Sequence, residues 1–185
     1  MASDHYLSAG RPAPSQRSGA TIGRPMAPLG RESRSCCDNV NGPRERMLSN
    51  RKTIHVEWGD CDPAGIMYYP RYFAYFDNCT AALFEAAGLP KHQMLKVYGI
   101  IGIPMVDTRA RFLAPSRFGD RVVVESSISQ WRRSSFDVQH KLFKDDVLAV
   151  ECSETRVWVT CSKTQPETIE SRQVPQEVIA RFGLR

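Results

Sequence analysis

The sequence predicts an α+β domain in which a five-stranded antiparallel sheet wraps around one long central helix. Two observations support this fold class. Apolar side chains recur at three- and four-residue spacing over residues 70–87, which is typical of a long and largely buried helix. Four segments of strand character follow with only short connections, and short connections join antiparallel neighbours.

An N-terminal tail of residues 1–50 is expected to precede a folded domain of residues 51–185. The tail is rich in Ser, Arg, Gly and Pro and has few large apolar residues, so we predict that it is disordered. Targeting and partner binding are alternative roles for it. A start of translation at Met47, just before the first strand, would make the tail an artefact.

The net charge of +5 lies in the N-terminal region and not in the predicted domain. Residues 1–52 contain 9 Lys and Arg against 4 Asp and Glu, whereas residues 53–185 contain 16 of each. The domain is therefore neutral, which argues against nucleic acid as a partner. No segment approaches the roughly 18 apolar residues that a membrane span needs, so we expect no membrane partner.

The six cysteines show no metal-ligand spacing, and the adjacent Cys36 and Cys37 suit neither zinc nor an ordinary disulfide. We expect free thiols in a reducing compartment, the cytoplasm, and no metal. His55 and His140 lie singly on predicted strands and are expected to be structural.

The predicted elements begin with a strand at residues 55–58 and a turn broken by Gly59, Pro63 and Gly65. A helix of about 27 Å follows from Pro70 to Ala87. Residues 90–98 form a short helix or turn and residues 175–182 a terminal helix turn. The remaining strands are expected at residues 105–114, 121–131, 135–144 and 148–161. An exposed edge of such a sheet favours pairing between copies, so we expect a homo-oligomer.

Asp62 is the main candidate for chemistry. It lies in the turn just before the helix, where unpaired backbone N–H groups and the positive end of the helix dipole also favour a developing anion. An alternative is that Asp60 or Asp62 only closes an Asx-type turn. Cys61 is adjacent, but neighbouring side chains point apart, and we expect it to be packed.

Three segments resemble the hotdog-fold acyl-CoA thioesterases, and within them the 4-hydroxybenzoyl-CoA thioesterase group: GDCDPAGIMYYPRYFAYFD, GIIGIPMVDTRARFLAPSRFGDRVVVE and QWRRSSFDVQHKLF. The resemblance covers residues 53–182. It implies dimers with two active sites at the subunit interface, assembled into tetramers. It also implies that Asp62 is the catalytic carboxylate and that the backbone N–H of Tyr69 polarises the thioester carbonyl, with the Gly65 N–H as a second candidate. A related branch has His in place of Tyr69, so this chain departs from that branch.

Two further sites follow from the same resemblance. Asp77, on the apolar face of the helix, would meet the phenolic hydroxyl of the acyl group, and an interface salt bridge is the alternative. The cluster Arg132, Arg133, Ser134 and Ser135 would bind the phosphates of CoA, and an ordinary solvated turn is the alternative.

The expected function is hydrolysis of a 4-hydroxybenzoyl-like CoA thioester, with Asp62 as nucleophile or general base. A thioesterase for short or medium aliphatic acyl groups and a non-catalytic acyl-CoA-binding protein are alternatives. A hydratase is disfavoured because the helix lacks a catalytic His. No cofactor is expected, since CoA is part of the substrate.

Overall fold

The computed structural model describes residues 47–162, 164–165 and 167–183. Seven strands occur in this part of the chain: β1 (Ser49–His55), β2 (Met105–Phe112), β3 (Arg121–Trp131), β4 (Ser135–Lys144), β5 (Val147–Val157), β6 (Val159–Cys161) and β7 (Ile169–Ser171). Three α-helices accompany them: α1 (Tyr69–Ala86), α2 (Lys91–Tyr98) and α3 (Gln176–Ala180). None of the described helices is long and apolar enough to cross a membrane.

Five strands form one antiparallel sheet in the order β1-β3-β4-β5-β2, and α1 lies against its inner face. The strands alternate, so that Val122 and Val124 of β3 and Val138 of β4 point to the helix. Phe76, Leu83 and other buried side chains of α1 fill the space between helix and sheet. The predicted α+β class is confirmed, and the architecture is the hotdog fold.

The first strand differs from its prediction. Residues 55–58 were expected to form it, but β1 is Ser49–His55, and Trp58–Asp60 form a 3-10 turn. β1 pairs with β3 at the edge of the sheet and buries only Ile54, so its sequence carries no alternation of apolar and polar side chains. Residues 49 and 50 therefore belong to the sheet and not to a tail. The rest of the predicted tail, residues 1–46, lies outside the described residues.

The outer face of the sheet carries a row of alternating charges. Arg51, Glu125, Lys141, Glu151 and Arg111 are cross-strand neighbours on β1, β3, β4, β5 and β2 in turn. Opposite charges on adjacent strands attract, and the ion pairs at the two ends measure 3.5 Å and 3.4 Å. This row marks a face turned to water.

Strand β2 is an open edge of the sheet, since β5 is its partner on one side and no described strand pairs with the other. Three of its apolar side chains are exposed: Met105 is 41% exposed, Val106 62% and Phe112 49%. An open edge strand with exposed apolar side chains is a site for pairing with another chain.

Candidate active site

The turn that carries Asp62, defined here as the Asp62 turn (residues 58–67), is closed by its own backbone. The Asp62 N–H donates to Ile66 O at 2.9 Å, and the Gly65 N–H donates to Asp62 O at 2.9 Å. The Ala64 N–H donates to Asp62 Oδ1 at 2.8 Å, so this carboxylate does close an Asx turn. Asp62 remains half-buried, and that bond fixes its direction without occupying its second oxygen.

Asp60 has a different role from Asp62. Its carboxylate is buried and accepts hydrogen bonds from the Glu57 N–H at 2.9 Å and from the Tyr75 hydroxyl at 2.5 Å. Its backbone oxygen accepts the Tyr68 N–H at 2.8 Å. Burial and the Asp60 carboxylate raise the pKa of Tyr75 to about 12, so the phenol stays a hydrogen-bond donor. Asp60 thus links the Asp62 turn to the start of α1 through Tyr68 and to the second turn of α1 through Tyr75.

Asp62 and Tyr69 share one cavity, called here the Asp62 cavity, of about 320 Å³. Tyr69 is the first residue of α1. Among the described residues, no atom accepts a hydrogen bond from its N–H. The other walls are mostly apolar and are formed by Ile66, Met67, Tyr72, Phe112, Leu113, Ala114 and Pro115. Asp62 and the residue that carries the free helix-end N–H therefore line one apolar cleft.

The expectation for the Gly65 N–H does not fit this geometry. Gly65 has a positive φ of 72°, a conformation that glycine adopts readily. In this conformation its N–H points back into the turn and donates to Asp62 O. A donor already engaged within the turn is not free to bind a substrate oxyanion, so Tyr69 is the remaining local candidate.

Asp77 lines a second cavity, called here the Asp77 cavity, of about 430 Å³. Its Oδ1 lies 2.8 Å from Nη1 of Arg156, whose side chain is 5% exposed against 60% for Asp77. Asp77 therefore has an ion-pair partner within its own chain. The long-range partner could not be seen in the sequence, because it depends on which residues of β5 face α1.

The two cavities lie at opposite ends of β2. Met105, at its start, lines the Asp77 cavity, and Phe112, at its end, lines the Asp62 cavity. Tyr69 and Asp77 are also separated by about 12 Å along α1. Within one chain, Asp62 and Asp77 therefore do not line the same cavity.

The Arg132 to Ser135 cluster forms the tight β3–β4 turn at the Met105 end of the sheet. Arg132 is paired with Asp137 through contacts of 2.8 Å and 2.6 Å. These hydrogen bonds hold the pKa of Asp137 below its ordinary value, against the opposing effect of burial. Arg133 is exposed and has no ion pair among the described residues. Ser134 O and Ser135 O accept the N–H groups of Trp158 and Arg132, so both serines also serve the turn.

The remaining candidates lie outside the Asp62 cavity. The Cys61 thiol is 3.9 Å from Glu57 O, and Cys61 is not one of the residues that line the cavity. His140 is fully buried beneath α1, stacked on Phe76. No group of three or more His, Cys, Asp or Glu within the described part of the chain could hold a metal ion.

Sequence comparison connects these features to known proteins. The model of the thioesterase-like superfamily matches residues 56–182. The 4-hydroxybenzoyl-CoA thioesterase of Pseudomonas sp. strain CBS-3 is 32% identical over 130 residues, which are 67% of this chain and 90% of that protein.

Structural comparison gives the same relationship. The solved structure of the Pseudomonas enzyme superposes with a TM-score of 0.68 at 31% identity and covers 72% of this chain and 99% of its own. A gentisyl-coenzyme A thioesterase superposes with a TM-score of 0.63 at 27% identity, with 72% of this chain and 99% of that chain covered. Both proteins are described as thioesterases that act on CoA derivatives.

Proposed function

This chain belongs to the thioesterase-like superfamily and is a thioester hydrolase, and we propose that it hydrolyses a ring-hydroxylated aromatic acyl-CoA such as 4-hydroxybenzoyl-CoA. The observation that carries the proposal is the shared cavity of Asp62 and the free Tyr69 N–H. Its apolar walls suit an aromatic acyl group. The names of the similar enzymes from Pseudomonas and of the gentisyl-coenzyme A thioesterase support an aromatic substrate.

The proposed chemistry begins with the thioester carbonyl oxygen against the Tyr69 N–H. As the carbonyl carbon becomes tetrahedral, negative charge moves onto this oxygen, and the helix-end donor stabilises it. In other enzymes one such donor contributes about 3 to 4 kcal/mol. Because Pro70 has no N–H and the Arg71 N–H donates to Tyr68 O, the Tyr69 N–H is the donor left free at the start of α1.

Asp62 can open the thioester by two routes. In the first, a carboxylate oxygen attacks the carbonyl carbon, the C–S bond breaks with release of CoA thiolate, and water hydrolyses the resulting mixed anhydride. In the second, Asp62 takes a proton from a water molecule whose oxygen attacks the carbonyl carbon directly, and the C–S bond then breaks with release of CoA thiolate. Both routes give the free acid and CoA, and both need the unoccupied oxygen of Asp62.

We further propose that the complete site forms between two copies. Antiparallel pairing of two β2 strands about a twofold axis places the Met105 end of one copy beside the Phe112 end of the other. The Asp62 cavity of one copy would then adjoin the Asp77 cavity of the second. When the thioester lies at Asp62 of one copy, the ring hydroxyl of its acyl group would donate a hydrogen bond to Asp77 of the second copy. Two such sites fit a homodimer, which we propose assembles further into a homotetramer.

The CoA phosphates are assigned in this proposal to the segment from Arg132 to Ser135. Asp137 already neutralises Arg132, so the exposed Arg133 is the stronger candidate within it. Guanidinium groups match the geometry of phosphate oxygens. The described cysteines are free thiols, which suits a reducing compartment, and we propose the cytoplasm as the location.

A panel of CoA thioesters tests the proposed function. The released thiol is followed with a chromogenic thiol reagent for 4-hydroxybenzoyl-, benzoyl-, hexanoyl- and acetyl-CoA. We expect the highest kcat/KM with 4-hydroxybenzoyl-CoA. A higher value with hexanoyl-CoA would instead assign an aliphatic substrate, and binding of all four without thiol release would indicate a non-catalytic acyl-CoA-binding protein.

A further inference from the structure

Arg156 is the single buried Lys or Arg side chain among the described residues. It lies on β5, where alternate residues face the helix, at a place that an apolar side chain would ordinarily fill. Removing a guanidinium from water costs several kcal/mol unless partners compensate. The contacts of Arg156 therefore show which groups compensate its buried charge.

The guanidinium divides its donors between two carboxylates. Nε and Nη2 donate to Oε2 of Glu154 at 2.9 Å and 2.8 Å. Nη1 lies 2.8 Å from Asp77 Oδ1 and donates to Ile103 O at 3.4 Å. Arg156 thus bridges strand β5, helix α1 and the segment before β2. The side chains of Arg156, Glu154 and Asp77 all line the Asp77 cavity.

Glu154 is anchored from the opposite side. Its side chain is 1% exposed, and Nε2 of His140 lies 3.5 Å from Oε2. His140 is itself held at Nδ1 by Ser126 Oγ at 2.7 Å. Burial opposes the charge of Glu154, but the hydrogen bond from His140 and the charge of Arg156 outweigh it, and the pKa of Glu154 lies below its ordinary value. Glu154 is therefore a fixed negative group behind Arg156.

Asp77 is the outer and more exposed member of this chain of contacts. Its side chain is 60% exposed, and the structure gives its Oδ2 no partner among the described residues. Since Glu154 fixes Arg156 and Arg156 fixes Oδ1, the free oxygen is held in one direction at the wall of the cavity. A carboxylate held in this way accepts a hydrogen bond from a hydroxyl without first losing its own conformational freedom.

We propose that Arg156, fixed by Glu154, is a positioning residue that holds Asp77 as the acceptor for a ring hydroxyl and so sets the preference for hydroxylated acyl groups. This inference rests on the proposed function and extends it to two residues that do not touch the reacting atoms. Without Arg156, Asp77 would turn toward water, and the hydroxylated ring would lose its partner while the Asp62 cavity stayed intact.

The test compares 4-hydroxybenzoyl-CoA with benzoyl-CoA in wild-type protein, Arg156→Met, Asp77→Asn and the double variant. We expect each single variant to lower the ratio of the two kcat/KM values by about tenfold. The double variant should lower the ratio no further than Asp77→Asn alone, because both changes remove one interaction. In each single variant, kcat/KM should fall more for 4-hydroxybenzoyl-CoA than for benzoyl-CoA.

Arg51→Met is the matched control, since it removes an arginine from an ion pair on the outer face of β1. Arg156→Met leaves the buried Glu154 carboxylate without its partner, so this single variant risks failing to fold. The double variant Arg156→Met with Glu154→Gln removes that unpaired charge and is used if the single variant does not fold. An unchanged substrate ratio in either folded variant, or an additive loss in the double variant with Asp77→Asn, overturns the inference.

A binding measurement separates this inference from the proposed hydrolysis. Affinities are measured for two stable CoA thioethers that carry a 4-hydroxyphenacyl or a phenacyl group. We expect wild-type protein to prefer the hydroxylated thioether and Arg156→Met to lose that preference, even if neither thioester is hydrolysed. Equal affinities of wild-type protein for the two thioethers contradict the inference. If only the proposed function is wrong, wild-type protein still prefers the hydroxylated thioether but does not hydrolyse the thioesters.

Discussion

The Tyr75 hydroxyl donates to the buried carboxylate of Asp60, 15 residues earlier in the chain, and joins the Asp62 turn to helix α1. The same Asp60 accepts the Glu57 N–H through its side chain and the Tyr68 N–H through its backbone. Asp62 follows Asp60 by two residues, and Tyr69 directly follows Tyr68. The distance between Asp62 and the Tyr69 N–H therefore depends on Asp60, which does not itself line the Asp62 cavity.

Tyr75→Phe tests this junction. The substitution leaves a buried acceptor with one hydrogen bond fewer, so we expect a loss of about 1 to 3 kcal/mol in the free energy of unfolding. Because Asp62 and Tyr69 would then be less well aligned, kcat should fall by about tenfold or more while KM changes little. Urea unfolding and steady-state kinetics measure the two effects. Tyr98→Phe, far from the turn, serves as control, and an unchanged kcat in Tyr75→Phe would show that the junction does not align the site.

Gly65 provides a test of whether the Asp62 turn needs only the positive φ at this position or also the absence of a side chain. Its φ of 72° is accessible to Asn at little cost, whereas Ala in this region is strained by about 1 to 2 kcal/mol. The space around it is open, since a Cβ there would meet only the Arg117 side chain at 3.8 Å. We expect Gly65→Asn to fold and to keep kcat within about twofold of wild type. A large loss of kcat with unchanged stability would show that the active site does not tolerate a side chain at this position.

The ion pair between Arg132 and Asp137 predicts a pH-dependent stability. The hydrogen bond from Arg132 lowers the pKa of Asp137 in the folded protein from its ordinary 3.8. The resulting stabilisation is present above pH 3.8 and disappears as the pH falls through the lowered folded-state pKa. Asp137→Asn should therefore be less stable than wild type at pH 7, and the difference should shrink under strongly acidic conditions. Urea unfolding at the two pH values measures it, and a constant difference would contradict the role of this pair.

Subunit mixing tests whether Asp62 and Asp77 act across two copies. Asp77→Ala alone should hydrolyse aromatic thioesters without preference for the ring hydroxyl, and Asp62→Asn alone should be inactive. In a large excess of Asp62→Asn, nearly every Asp77→Ala chain pairs with a chain that supplies an intact Asp77. We expect the preference for 4-hydroxybenzoyl-CoA over benzoyl-CoA to return after exchange of subunits. If it stays lost while native mass spectrometry of chains with different tags confirms mixed dimers, the two residues serve the same chain's site.

The sequence was sufficient for the helix and for β3, β4 and β5, because their periodic patterns are produced by burial on one face. β2 was also predicted at its observed place, although none of its residues is buried. β1 was misplaced because a strand at the edge that buries only Ile54 has no such pattern. The proximity of Asp62 and Tyr69 followed from their closeness in the chain on either side of one turn. Local spacing was enough for that part of the site.

Contacts between distant parts of the chain could not be predicted in the same way. The pairing of Asp77 with Arg156 and Glu154 depends on the register of β5 over α1, which no local pattern reveals. The pairing of Arg132 with Asp137 had a visible signal, since the two residues are only five apart around a tight turn. Charges on the inner face of β5 broke its apolar alternation, and that break was the available sign of a buried polar network.

The most direct measurement is the turnover of 4-hydroxybenzoyl-CoA by Asp62→Asn, together with its affinity for the stable 4-hydroxyphenacyl thioether of CoA. Asp146→Asn, which makes the same change in the exposed β4–β5 turn, is the control. We expect Asp62→Asn to lower kcat by about 100-fold to 10 000-fold with affinity nearly unchanged, because the carboxylate acts on the reacting carbon or its water. A kcat close to that of Asp146→Asn would contradict the assignment of Asp62 as the catalytic carboxylate.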